Sequence, residues 1–182
     1  STSIFSRSLQ VGDYAPNFLL TDQDGKLHQL IDYKDKKLVI YFFPKAETPG
    51  WIKEACGFRD EIQSFQELNI SLLGISYDSI EDLKLFKKKH NINFNFLSDS
   101  KKVVGKAYGV NNYYFFPSRK TFLIDGEGIL IHIFDEVNLE THPRDVLEIF
   151  NRKRIGKIKW KYLLNIVLSE IICLKLPVWK QN

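Results

Sequence analysis

The sequence predicts a mixed α/β fold, one sheet flanked by helices, on three observations. Continuous apolar runs at 38–43 and 70–77 have the character of strands buried on both faces. Around them, apolar residues recur at three- and four-residue spacing, the pattern of core-facing helices. Two further pairs of short apolar runs bracket Asp22-Gln23-Asp24-Gly25 and Gly126-Glu127-Gly128, which reads as two hairpins.

Taken in order, residues 1–8 form a polar, extended arm, and Val11 to Phe18 lead into the first strand. Phe18–Thr21 and Leu27–Leu30 make the first hairpin. The strand Leu38–Phe43 stops at Pro44, and a short polar loop runs to Thr48 or Pro49. A helix starts there, because proline suits a first turn whose N–H has no partner anyway. It is expected to continue to about Leu68, with Ile52, Ala55, Phe58, Ile62, Phe65 and Leu68 as one core-facing stripe. After the strand Ile70–Tyr77, Asp78 or Ser79 caps a second helix carrying Leu83, Phe86 and the Lys87-Lys88-Lys89 run. Those lysines sit at its C-terminal end, as a solvated face favoured by the dipole. A short strand at 94–99, a helix from Val103 to Val110, the hairpin 120–134 and a helix from Pro143 to Phe150 complete the order.

At 182 residues the chain fits one domain plus an appendage. Cys56 and Cys173, its only cysteines, make no disulfide framework, so nothing argues for a secreted scaffold. No run of about 18 uncharged apolar residues occurs, and no spanning helix is expected. Ser1 opens a chain without methionine and without a charged-then-apolar leader pattern, so an initiator or longer targeting peptide is expected to have been removed. His28, His90, His132 and His142 are scattered, with no ligand spacing, and no metal or cofactor is expected. Gly126-Glu127-Gly128 lacks the following helix and Lys-Ser/Thr of a phosphate loop.

Charge is uneven. Residues 151–182 hold eight Lys or Arg against Glu170, a net +7 that leaves residues 1–150 at −3 of the chain's +4. The segment opens on Arg152, Lys153 and Arg154. On a helical wheel Trp160, Leu163, Leu164, Val167, Leu168, Ile171 and Leu174 then share one face, before Pro177. A basic start, an interfacial Trp and a wide apolar face fit a helix docking on a membrane surface or in a protein complex. The competing expectation is a helix folded back onto its own domain. Cys173 is a minor palmitoylation candidate. Nucleic acid ranks third as a partner, since one basic run without interleaved aromatics makes a poor nucleic-acid face.

The stretch from Phe43 to Asp60 carries the sharpest signal. A strand ending in a loop that opens onto a helix N-terminus favours anions, and a cysteine thiolate is often stabilised there. Pro44, Thr48, Pro49, Gly50, Lys53, Glu54, Ala55, Cys56, Gly57, Phe58, Arg59 and Asp60 resemble the active site of peroxiredoxins of the bacterioferritin-comigratory, or PrxQ, branch. That branch reads Pro-x-x-x-Thr-Pro-Gly-Cys-x-x-x-x-Cys, and this chain has Trp51 where the peroxide-attacking cysteine falls. The resemblance covers about 9–150 and implies a thioredoxin-like fold. It also implies that Thr48 and Arg119 hold the peroxide, that Cys56 is the resolving cysteine, and that thioredoxin reduces the resulting disulfide.

An indole is not ionised at neutral pH, is a poor nucleophile, and would fill a pocket sized for hydrogen peroxide. The expectation is therefore a PrxQ-type protein lacking the peroxidatic cysteine, inactive as a peroxidase, acting as a structural or binding subunit docked to a larger, membrane-associated assembly. The alternative is a thioredoxin-dependent thiol peroxidase of hydrogen peroxide and organic hydroperoxides. That would follow if residue 51 is natively Cys or selenocysteine, whose codons differ from Trp only in the third base, or if Cys56 has residual activity. Cys56, beside an apolar stripe, is expected to be a small buried hydrophobe, with a reactive thiol as the sharper reading. By the same resemblance the compartment is the plastid, near thylakoids, or the cytoplasm.

Overall fold

The computed structural model describes residues 7–111 and 117–152. Seven strands form one sheet in the order β2-β1-β5-β4-β3-β6-β7. Their ranges are β1 Leu19–Asp22, β2 Leu27–Gln29, β3 Lys37–Phe42, β4 Ile70–Ser76, β5 Asn95–Ser98, β6 Lys120–Ile124 and β7 Leu130–Phe134. The central β3, β4 and β5 are parallel, and the remaining pairings are antiparallel. Parallel neighbours need crossovers. These are α1 (Pro49–Asp60) with α2 (Ile62–Glu67) between β3 and β4, and α3 (Ile80–Lys89) between β4 and β5. The short α4 (Val103–Ala107) follows β5, and a further helix spans residues 142–152 of the described chain. This is a thioredoxin-like sheet flanked by helices.

Strand alternation sends side chains to two cores. Leu38, Ile40, Phe42, Leu73, Ile75, Leu97, Phe122 and Ile124 join Val104 of α4 on one face. The other face is aromatic: Tyr41 and Phe43 meet Trp51 and Phe58 of α1 and Phe94 and Phe96, and Trp51 in turn meets Phe86 of α3. Gly74 pairs with both Tyr41 and Phe96 at the middle of that face. A methyl there would lie 2.7 Å from Phe96 Cδ1 and 3.0 Å from Tyr41 Cζ, so the two rings meet over a residue with no side chain.

Strands and hairpins fall where the patterns put them, with four differences. The helix expected from Pro49 to Leu68 is interrupted at Glu61 (φ −97°, ψ 6°), so α1 and α2 are separate. Their buried stripe is Trp51, Glu54, Ala55, Phe58 and Phe65, while Ile52, Ile62 and Leu68 are half-buried. The helix is thus rotated from the apolar count to bring the largest ring inward. The helix expected over 103–110 ends at Ala107, and Gly109 at φ +66° turns the chain. A 3₁₀ turn at Leu30–Tyr33 had no expectation attached to it. The Lys87-Lys88-Lys89 run is only in part a solvated face: Lys87 donates to Asn95 (2.9 Å) and Lys89 to Glu47 (2.5 Å).

The chain divides into two compact units, Ser1–Asp145 and Val146–Asn182. The first holds the sheet. In the second, Arg152 bonds Glu148 one turn back (Nε to Oε1 3.1 Å). Lys153, Arg154, Trp160, Leu164, Val167, Leu168, Ile171 and Cys173 lie outside the described residues. Among those described, no helix is long and apolar enough to cross a membrane.

Candidate active site at the start of α1

β3 ends in the aromatic core, and Pro44 turns the chain into a loop held by long-range bonds. The Ala46 N–H donates to Asp78 Oδ2 (2.8 Å), which also accepts from Ser76 Oγ (2.9 Å). Glu47, at φ +67°, is gripped by Lys89 and by His90 Nε2 (3.3 Å). The left-handed backbone of a non-glycine residue is costly, and these ties sustain it. Thr48 is the N-cap of α1, but its hydroxyl donates to the Lys45 carbonyl (3.2 Å) rather than capping the helix.

Trp51 stands in the first turn, fully buried. Its ring lies parallel to Phe43 at 3.6 Å between centroids and 2° between planes. Tyr41 follows at 4.9 Å, and Phe86 and Phe96 at 5.7 Å each. Its Nε1–H has no hydrogen-bond partner. The indole, expected to fill a peroxide-sized pocket, sits instead as a member of the core, because four aromatic neighbours offer it more apolar contact than solvent does.

Arg119 arrives from the start of β6. A methyl on Gly50 would lie 3.3 Å from its Nη2, so the guanidinium rests on the first turn of α1. Arg119 Nε approaches Glu54 Oε2 at 3.4 Å without the alignment of a hydrogen bond. Thr48, Trp51 and Arg119 are thereby gathered at one helix end. Cys56 is further along α1, a free and half-buried thiol rather than the fully buried residue expected. The helix face that carries Glu54 and Ala55 inward leaves the next position part-way out.

Two residues escaped sequence reasoning. Glu54 is completely buried, with both oxygens lacking a hydrogen bond. Burial raises its pKa to about 7, against the attraction of Arg119. His142 is also buried, with Nε2 2.8 Å from Thr121 Oγ1. Burial lowers its pKa to about 4; Asp145 opposes this and Arg119 adds to it. Both groups are therefore neutral between about pH 4 and about pH 7, where their 3.8 Å approach is a contact between uncharged groups rather than an ion pair. The signal for Glu54 was present: an acid three residues after Trp51 lies on the inward stripe. His142 had none, since only folding brings it beneath Arg119. Among the described residues, no cluster of His, Cys, Asp and Glu could hold a metal.

The chemistry available is polar and cationic at the surface, from the α1 dipole and Arg119, above an apolar plug. That fold and that strand–loop–helix site are those of a thioredoxin-like family. The chain belongs to the AhpC/TSA family, which matches residues 11–133. Within it, a putative peroxiredoxin bcp of Coxiella burnetii is 40% identical over 147 residues, covering 77% of this chain and 97% of that protein. The chloroplastic peroxiredoxin Q of Triticum aestivum is 38% identical over 152 residues, covering 82% of this chain and 70% of its own. The crystal structure of peroxidoxin BcpB from Mycobacterium tuberculosis superposes with a TM-score of 0.75 at 31% identity, over 79% of this chain and 97% of that one.

Proposed function

We propose that this protein is a Bcp/PrxQ-type peroxiredoxin without a peroxidatic thiol, serving as a non-catalytic binding or structural subunit. The observation that carries the reading is the burial of Trp51 against Phe43 in the first turn of α1. A thiol peroxidase needs a thiolate where the helix dipole stabilises it, and that stabilisation fades within the first turn. The described cysteine, Cys56, lies beyond it. On this reading Thr48 and Arg119 are retained features of a site whose nucleophile position is held by Trp51, and Cys56 occupies the resolving position. The basic segment 151–182 then docks the protein to a complex or membrane surface, through Arg152, Lys153, Arg154 and the apolar face of Trp160, Leu164, Val167, Leu168 and Ile171. The chloroplastic relatives support a plastid compartment for this proposal.

The half-exposed thiol of Cys56 favours a second reading, a thioredoxin-dependent peroxidase working through that residue or through a Cys or selenocysteine native at 51. Peroxide consumption with thioredoxin, its reductase and NADPH separates the two, run on protein whose intact mass proves the residue at 51. Absence of turnover with Trp confirmed at 51 is the expected result. Turnover at rates ordinary for the Bcp relatives would end the non-catalytic reading.

A further inference from the structure

A second buried polar chain lies at the opposite end of the sheet, around the 3₁₀ turn, and owes nothing to the reading above. Asp22 ends β1, His28 is central in β2, and Tyr33 closes the 3₁₀ turn. His28 Nδ1 is 2.7 Å from the Tyr33 hydroxyl, and its Nε2 is 2.8 Å from Asp22 Oδ2. Asp22 Oδ1 accepts the N–H groups of Asp24 and Lys26, both at 2.9 Å. Burial pushes the Asp22 carboxyl up, but the bonds from His28 and from those two N–H groups outweigh it and hold the pKa below its ordinary value. Asp22 is therefore a carboxylate, which only accepts. In the neutral ring Nε2 carries the hydrogen, and Nδ1 presents a lone pair to which Tyr33 donates.

We propose that Tyr33 is a site of proton-coupled one-electron oxidation. A radical oxidant takes one electron from the phenol while the phenolic proton passes along the hydrogen bond to His28 Nδ1. The O–H bond breaks, an N–H bond forms, and the products are a neutral tyrosyl radical and an imidazolium held by the Asp22 carboxylate. The oxidant class is the carbonate radical, reduced to carbonate. Nitrogen dioxide then combines with the tyrosyl ring carbon, forming a C–N bond, and loss of the ring proton gives 3-nitrotyrosine.

Three features single out this tyrosine. Loss of an electron turns a phenol into a very strong acid, so a poised base makes the oxidation easier. Burial, with Asp32 and Asp22 adding, raises the Tyr33 pKa, which closes the route through a preformed phenolate and leaves the coupled one. The other described tyrosines that are buried or half-buried lack such a base. Tyr108 donates to the Pro16 carbonyl, Tyr77 meets the Asn111 amide oxygen, and Tyr41 has no hydrogen-bond partner. Access is open, since Tyr33 lines cavities of about 350 and about 700 Å³. Tyr14 lines the smaller one and is 75% exposed, which makes it the internal comparator.

The test treats full-length protein with peroxynitrite in bicarbonate, a source of both radicals, and maps 3-nitrotyrosine by peptide mass spectrometry. The expected result is more nitration at Tyr33 than at the better-exposed Tyr14. His28→Gln, which removes the base, should cut Tyr33 nitration by about fivefold or more, the scale of one hydrogen bond, and leave Tyr14 unchanged. Nitration that follows exposure, with Tyr14 dominant in the unmodified protein, overturns the proposal. So does an unchanged Tyr33 yield in folded H28Q. Flash-quench oxidation of the unmodified protein in D₂O needs no variant: slower radical formation at Tyr33 supports the coupled step, and an isotope-insensitive rate refutes it.

Discussion

Trp51 contributes its indole to a stack that no neighbouring residue in α1 could complete. Ile52 and Lys53 face outward to different degrees, while Trp51 is sealed between Phe43 and Phe86. Trp51→Ala should destabilise the protein by about 3–5 kcal/mol, the range for removing a large buried aromatic, read from urea unfolding. A loss below about 1 kcal/mol would mean that the indole is not a packed core residue. Glu54 and His142 give a second prediction. The folded pKa of Glu54, about 7, is above its ordinary 4.5, so its contribution to stability is complete below 4.5 and is lost as pH rises through 7. His142, depressed from 6.5 to about 4, contributes above 6.5 and loses that contribution as pH falls through 4. The two slopes oppose between 4.5 and 6.5, so the unmodified protein should have nearly level stability there. Glu54→Gln should unmask the rising histidine slope, and at about pH 8 should be more stable than the parent by up to about 3 kcal/mol. Urea titrations across that range check both statements, and a falling slope in E54Q contradicts them.

At the scale of elements, local chemistry was legible wherever a residue acts on its own backbone. Ser79 was one of two candidates to cap α3, and its Oγ accepts the Asp82 N–H at 3.1 Å. Ser79→Ala should cost about 1 kcal/mol in unfolding free energy, and an unchanged midpoint would show that the bond contributes nothing. Gly25, at φ +84°, turns the first hairpin where an Asp-x-Asp-Gly sequence calls for it. The interruption at Glu61 had no such signal, since neither proline nor glycine marks it. Its carboxylate faces Arg144 at 3.3 Å, a partner far along the chain. The inward turn of Trp51 was hidden for a related reason: apolar spacing counts Ile52 and Trp51 alike, and only the volume between Phe43 and Phe86 chooses the larger ring.

For the whole molecule, the proposed role makes the basic segment the determinant of association. Full-length protein with Arg152, Lys153 and Arg154 each changed to Glu should lose vesicle flotation or co-migration with its complex, with an unchanged circular dichroism spectrum. Equal behaviour of variant and parent would remove the docking role from that segment. Family and the order of elements along the chain could be read in advance, because alternation, helical spacing and the Phe43–Asp60 motif are written in neighbouring residues. Folding alone decided that the indole is core rather than lining, that Glu54 and His142 lie uncharged beneath Arg119, and that Tyr33 donates to a base backed by a carboxylate. Each of those depends on burial or on hydrogen bonds between separate elements, and energies of that kind exist only once the elements have met.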